Sequence, residues 1–185
     1  MAELRGLLED QARRSRTWNI TWTIGYGAAA AGQLAFAVKP EWAPIDIDPD
    51  MQKSLYIGAI KASIGMVSRM IIPLRAIQPD PDIAEPCAGA TAAEEALRIT
   101  ARKQKVSFWL NHLGGVAVNL SGALVLGIKY DAWGAAASSF ALGYAVGLLN
   151  GYTQPDGAWK EPRRQRSSTV TVAPLPNGLA IVGTF

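Results

Sequence analysis

The chain of 185 residues is long enough for one domain with its own core or for a few membrane spans. Hydrophobic residues make up 49% and charged residues only 18%, below the roughly 25% of soluble domains, which excludes a disordered chain and favours contact with lipid. One cysteine, Cys87, and one histidine, His112, exclude an internal disulfide and a zinc site built by one chain. We therefore expect no metal and no other cofactor.

The first predicted element is a short amphipathic helix over residues 1–16, which we expect to lie on the cytoplasmic surface of a membrane. Its apolar side chains share one side at helical spacing. They are Leu4, Leu7, Leu8 and Ala12. A cleavable export signal is the alternative, because Ala35 to Ala37 form a small-residue site. The three acidic residues before the apolar run are not typical of such signals.

Four segments of low charge follow, each long enough to cross a hydrocarbon core of about 30 Å. Three lack charge over 22, 23 and 24 residues, and the fourth contains Lys61 and Arg69. The sequence therefore predicts an all-α integral membrane protein with a four-helix transmembrane domain at 17–153. Its spans are predicted at 17–38, 54–75, 106–128 and 132–153. A soluble helical bundle is the alternative, but its outer faces would carry charge every few residues.

Lys and Arg are distributed unevenly around these spans, and this sets the expected orientation. Thirteen flank the N-terminus, the loop between the second and third spans, and the C-terminus, whereas the other two loops hold only three. Both termini are therefore expected in the cytoplasm. The net charge of +3 follows from this asymmetry, and we expect no nucleic-acid partner. Aromatic residues cluster near the ends of the spans, as interfacial belts require.

The loops carry further signals. Pro40, Pro44 and Pro49 predict an extended acidic loop over residues 39–53. Thr91 and Glu94 form a capping-box pattern that predicts a connector helix over residues 91–105. The predicted cytoplasmic tail, 154–185, contains a β-hairpin at 169–185 around an Asn-Gly turn. Such a hairpin is marginal alone, so we expect it to dock on another surface.

The fourth span carries a stripe of small residues at four-residue spacing. It consists of Ser139, Gly143, Gly147 and Gly151. Small residues let helix backbones approach closely in lipid, so this stripe predicts a helix-packing face. The face packs either inside the chain or against a homo-oligomer or another membrane protein.

Polar residues inside the predicted spans are the candidate ligand-binding residues, since a charge at the centre of a span costs about 2.5 to 3.5 kcal/mol. At 1.5 Å of rise per residue they fall into two layers at different depths. The candidates are Lys61, Asn119 and Gln33 in the deeper layer, and Arg69 and His112 nearer the cytoplasm. We expect Lys61 to approach Asn119 and Arg69 to approach His112, all facing the bundle interior. The alternative is that Arg69 extends to the lipid headgroups while Lys61 makes neutral hydrogen bonds.

A run of residues in the third span and a turn after the fourth resemble a known group of proteins. The run is Trp109-Leu110-Asn111-His112-Leu113-Gly114-Gly115, with Asn119 and Gly122 following, and the turn is Gly151-Tyr152-Thr153-Gln154-Pro155. The chain resembles, over residues 90–157, small four-span bacterial membrane proteins with no assigned activity. The resemblance implies a multi-pass protein of the bacterial inner membrane.

Two functions follow from these patterns. A structural or scaffolding membrane protein, packing or assembling through small-residue faces, is the leading interpretation. The alternative is a carrier that binds an anion or a lipid headgroup in a cationic intramembrane cleft. We do not expect an enzyme, because His112 has no evident nucleophile or orienting acid in the sequence.

Overall fold

The computed structural model describes residues 2–80, 86–160, 170–175 and 178–183, and its body is an all-α arrangement of helices. Four long helices form this body, and within the described residues one further helical turn covers 157–160. The long helices are α1 (Ala2–Val38), α2 (Pro49–Ile71), α3 (Pro86–Leu124) and α4 (Trp133–Tyr152). The all-α class predicted from the sequence is confirmed.

Helix α1 is continuous from Ala2 to Val38, so the separate surface helix predicted at 1–16 is wrong. Leu8, Gln11, Ser15 and Trp18 recur at three- and four-residue spacing and are all buried. This half of α1 therefore packs against the rest of the chain along a continuous face. No proline or glycine cluster interrupts the sequence around residue 16, which explains why the helix continues.

Helix α2 begins five residues before the predicted span. Asp48 is its N-cap, with Oδ1 accepting hydrogen bonds from the backbone of Asp50 at 2.9 Å and Met51 at 2.8 Å. Pro49 occupies the first helical position, where proline favours a helix instead of blocking it. A short 3₁₀ turn, Pro40–Trp42, precedes it. The helix ends at Ile71, because Pro73 disfavours helical backbone at Ile72.

Helix α3 joins the predicted connector helix and the third span into one element. It begins at Pro86, so the predicted start at Thr91 is wrong. The Thr91 hydroxyl donates to the Cys87 carbonyl at 3.1 Å, one turn back inside the helix, and does not cap a terminus. A π-helical segment, Val125–Lys129, follows α3, and Asp131 then adopts a positive φ of 52° at the turn into α4.

Helix α4 lies within one residue of the predicted span at each end. Two strands, β1 (Val170–Leu175) and β2 (Gly178–Gly183), pair antiparallel in the tail, with Val170 opposite Gly183 and Leu175 opposite Gly178. The turn residues 176 and 177, and residues 161–169, 184 and 185 of the predicted tail and hairpin, lie outside the described residues.

The helices pack as two hairpins, α1 with α2 and α3 with α4. Helix α2 meets α3 and α4 over a smaller area than it meets α1. Within the described residues, one helix, Cys87–Lys129, is long and apolar enough to cross a membrane by length and composition. The other helices contain much alanine and glycine, and α2 also contains Lys61 and Arg69.

Candidate functional site

A cavity of about 1530 Å³ separates α2 from α3 and α4, and we call it the central cavity. All four long helices contribute to its wall, because the two helical hairpins touch over a limited area. Apolar side chains of α2, α3 and α4 supply much of this wall. They include Ile64, Ile71, Val106, Leu110, Leu142 and Val146.

The charges on the wall of the central cavity are all positive. Five cationic residues line it, and none of the described lining residues is an aspartate or a glutamate. The cations are Lys61, Arg69, Arg75, Arg102 and Lys103. Uncompensated cations around a partly apolar space produce a positive potential, because field lines concentrate where water is scarce. The central cavity is therefore suited to an anionic group.

Arg69 is the most buried of these cations, with 9% of its surface exposed. Its Nη2 donates to Asn150 Oδ1 at 2.8 Å and to Asn111 Oδ1, and its guanidinium lies 4.5 Å from the centre of the Trp18 ring. These neighbours are neutral, so they hold the guanidinium in place without cancelling its charge. The hydrogen-bond partners of Arg69 are therefore Asn111 and Asn150, where the sequence analysis expected His112 nearby.

Two buried hydrogen-bond donors, one on Arg69 itself and one on Asn150, lack partners among the described residues. Arg69 Nε and Asn150 Nδ2 are buried, and neither donates a hydrogen bond to any described residue. An unpaired buried donor costs roughly 1–3 kcal/mol, so buried polar groups in folded proteins are usually satisfied. Both residues line the central cavity. The two unpaired nitrogens are themselves covered by protein atoms, so what the wall offers an oxyanion is the positive charge of the Arg69 guanidinium.

A chain of side-chain amides fixes Asn111, and with it Arg69. Asn111 Nδ2 donates to Gln154 Oε1 at 3.1 Å, and Gln154 Nε2 donates to the Gln104 carbonyl at 2.7 Å. Gln104 Nε2 in turn donates to Gln11 Oε1 at 2.9 Å. Gln11, Gln104 and Gln154 are all buried. Sequence reasoning missed this network, because Gln11 and Gln104 stand among charged residues and give no signal of their burial.

Lys61 lies deeper in the bundle and contacts α4. Its Nζ donates to Ser139 Oγ at 2.8 Å and to the Ser139 carbonyl at 3.1 Å. Its aliphatic stem runs past Gly122 of α3, where an added Cβ would lie 2.9 Å from the Lys61 Cδ. Lys61 therefore faces the bundle interior as predicted, but its partner is Ser139 and not Asn119.

Asn119 and His112 are both engaged within their own helix. Asn119 Nδ2 donates to the Gly115 carbonyl at 2.8 Å, while the side chain abuts Gly143 of α4. His112 Nδ1 lies 2.9 Å from the Phe108 carbonyl, and the ring packs against Phe108, Tyr152 and the backbone at Gly151. Asn119 lines the central cavity, whereas His112 is not among its lining residues. The structure thus separates His112 from the other candidates.

The remaining candidates lie where helices approach closely. Gln33 of α1 abuts Gly58 of α2, where an added Cβ would lie 1.8 Å from Gln33 Oε1, and it also lines the central cavity. In the α4 stripe, Ser139 meets Lys61, Gly143 meets Asn119 and Gly151 meets His112. A Cβ at Gly147 would meet nothing within 4 Å, because this glycine faces the central cavity.

Comparisons with protein-family models, curated proteins and solved structures gave no match.

Proposed function

We propose that the chain is a four-span membrane protein of the bacterial inner membrane that binds an anionic group in its central cavity. The membrane part of the proposal is supported by the distribution of side chains. Large apolar residues are exposed along the outward faces of the long helices, whereas several of the buried side chains are polar. Examples of the exposed set are Ile24, Leu34, Ile60, Leu113, Leu120 and Leu149. Exposed apolar faces of this extent mark contact with lipid or with partners.

Aromatic residues at both ends of α4, and cationic residues at one end of the bundle, support the proposed span and its orientation. Helix α4 has exposed aromatic residues at both ends, Trp133 and Tyr152, about 28 Å apart along the helix at 1.5 Å per residue. This separation matches the hydrocarbon core, whose edges attract Trp and Tyr. Arg75, Arg102 and Lys103 lie at the end that we assign to the cytoplasm.

Anion binding is carried by one observation, the environment of Arg69. Its charge is buried among neutral partners, its Nε is unpaired, and every charged residue lining the same cavity is a cation. A buried cation without a counter-ion is costly, and a bound anion would remove that cost. This arrangement favours a protein that binds an anion or a lipid headgroup over the scaffolding protein that the sequence patterns favoured. Three of the four positions in the small-residue stripe already contact residues of the same chain. Little of this helix face therefore remains for assembly with another protein.

The test is anion binding by the purified full-length protein in a mild detergent. Inorganic phosphate and dipalmitoyl phosphatidylglycerol supply the free and the lipid-borne forms of the same chemistry. We expect at least one to bind, and Arg69→Gln to weaken binding about tenfold or more, the value of a charged hydrogen bond. Arg98→Gln is the matched control, because Arg98 is exposed, pairs with Glu95 at 2.8 Å and lies outside the cavity wall. Absence of binding by both probes would contradict the proposal.

A further inference from the structure

We propose that the occupant of the central cavity is a two-chain lipid with an anionic phosphate headgroup. The headgroup lies at Arg69 and the cations near it, and at least one acyl chain lies along the apolar wall between α2 and α4. This inference rests on the proposed anion-binding function and names the class of ligand.

The size and chemistry of the central cavity argue against a small ion as its sole occupant. Its volume of about 1530 Å³ exceeds the roughly 300–1,000 Å³ of most small-molecule sites. An inorganic anion at Arg69 would leave the apolar wall formed by Ile64, Leu110 and Leu142 uncovered. A ligand with a long apolar part covers that wall, and apolar area removed from water contributes to binding in proportion to its extent.

The cavity is open towards the surroundings of the bundle along its apolar part. Several of its lining side chains are also among the large exposed apolar residues of the chain. Ile71 is 72% exposed on α2, and Leu142 is 71% exposed on α4. In the proposed four-span arrangement an opening between α2 and α4 would face acyl chains. A lipid therefore enters sideways from the bilayer without passing through water.

The cationic residues of the wall supply the complementary charge for the headgroup. Arg75, Arg102 and Lys103 are exposed, line the cavity, and form no ion pair with any described residue. Arg69 lies further in, with Asn111 and Asn150 beside it. A planar guanidinium and a neighbouring amide can donate several hydrogen bonds to the acceptor oxygens of a tetrahedral phosphate group. Charge complementarity and an adjoining apolar wall together specify an anionic lipid.

Gly147 gives a way to test where the acyl chain lies. It lines the central cavity, and a Cβ added there meets no protein atom within 4 Å. Gly147→Leu therefore fills space that the acyl chain would use, without displacing a neighbour. Gly134→Leu is the matched control, because Gly134 is on the same helix, is equally open, and is not part of the cavity wall.

The experiment measures retention of dipalmitoyl phosphatidylglycerol and dipalmitoyl phosphatidylcholine by native mass spectrometry, with inorganic phosphate titrated in parallel. We expect the full-length protein and Gly134→Leu to retain phosphatidylglycerol in preference to phosphatidylcholine. Gly147→Leu should lower that retention about tenfold or more while monodispersity is unchanged. Should Gly147→Leu aggregate, Gly114→Leu replaces it, since Gly114 is also open and lies on the α3 wall.

The outcomes separate the two proposals. Phosphate binding that depends on Arg69, without retention of phosphatidylglycerol, overturns the lipid and leaves the anion site. Equal retention of phosphatidylglycerol by both leucine variants also overturns the lipid in the cavity. If neither phosphate nor phosphatidylglycerol binds, both proposals fail.

Discussion

At the residue scale, two glycines one turn apart on α4 differ in what surrounds them. A Cβ at Gly143 would lie 1.8 Å from Asn119 Oδ1 and 2.7 Å from its Cγ, whereas a Cβ at Gly147 meets nothing within 4 Å. Asn119 is buried and holds a hydrogen bond to Gly115, so it has little room to move. We expect Gly143→Leu to destabilise the protein by about 1–3 kcal/mol through overpacking. Thermal unfolding in detergent checks this, with Gly147→Leu expected close to the parent protein.

The guanidinium of Arg69 is a second feature at this scale. Its Nη2 donates to Asn111 and Asn150 while the group stays over the Trp18 ring, a geometry that depends on a planar guanidinium. Arg69→Lys keeps the positive charge but loses the planar group and the stacking. We expect the variant to fold and to bind phosphatidylglycerol several-fold more weakly than the parent. Binding unchanged from the parent would show that charge alone suffices.

At the element scale, the N-terminus of α2 depends on Asp48. Its carboxylate caps two backbone amides, and replacing a capping aspartate with alanine costs about 0.5–2 kcal/mol. We expect Asp48→Ala to lower the unfolding free energy by about 1 kcal/mol. Asp46→Ala is the control, because Asp46 is exposed in the preceding loop and caps no helix. An equal loss in both variants would contradict a capping role.

Helix ends were predictable where the chain gives a local stop, and unpredictable where tertiary packing continues a helix. The residues that flank α4 in the sequence predict where this helix begins and ends. Helix α1 ends at Val38, before Pro40. The predicted start of α2 is wrong because Pro49 is the first helical residue, a position where proline favours a helix. The start of α3 was missed because the Thr91 pattern occurs inside a helix that packing extends.

At the scale of the whole molecule, the proposed orientation predicts the accessibility of each loop. Reporter fusions at residues 45 and 130 should be external, and fusions at residues 90 and 185 cytoplasmic. The exposed Cys87 supports a second test, since an impermeant maleimide should label it only after the cells are opened. A cytoplasmic signal at residue 45 would overturn the four-span arrangement.

The face of α2 that carries the candidate residues was predictable, but the partners of these residues were not. Spacing placed Lys61 and Arg69 on one face of α2, and both do face the interior. Their partners depend on how the two helical hairpins are rotated against each other, which helical spacing does not encode. The pairing of Lys61 with Ser139, and of Arg69 with Asn111 and Asn150, therefore needed the structure.

Helix α3 is long and unbroken, so a tilt at one point along it moves its far end by a larger distance. Its 39 residues measure about 58 Å at 1.5 Å per residue, nearly twice the hydrocarbon thickness. Leu110 and Asn111 line the central cavity, while Cys87 lies more than twenty residues away near the start of the same helix. A small tilt imposed at the cavity is magnified at that end. Filling the cavity would thereby become a displacement at the far end of α3, which the mobility of a spin label on the exposed Cys87 would report.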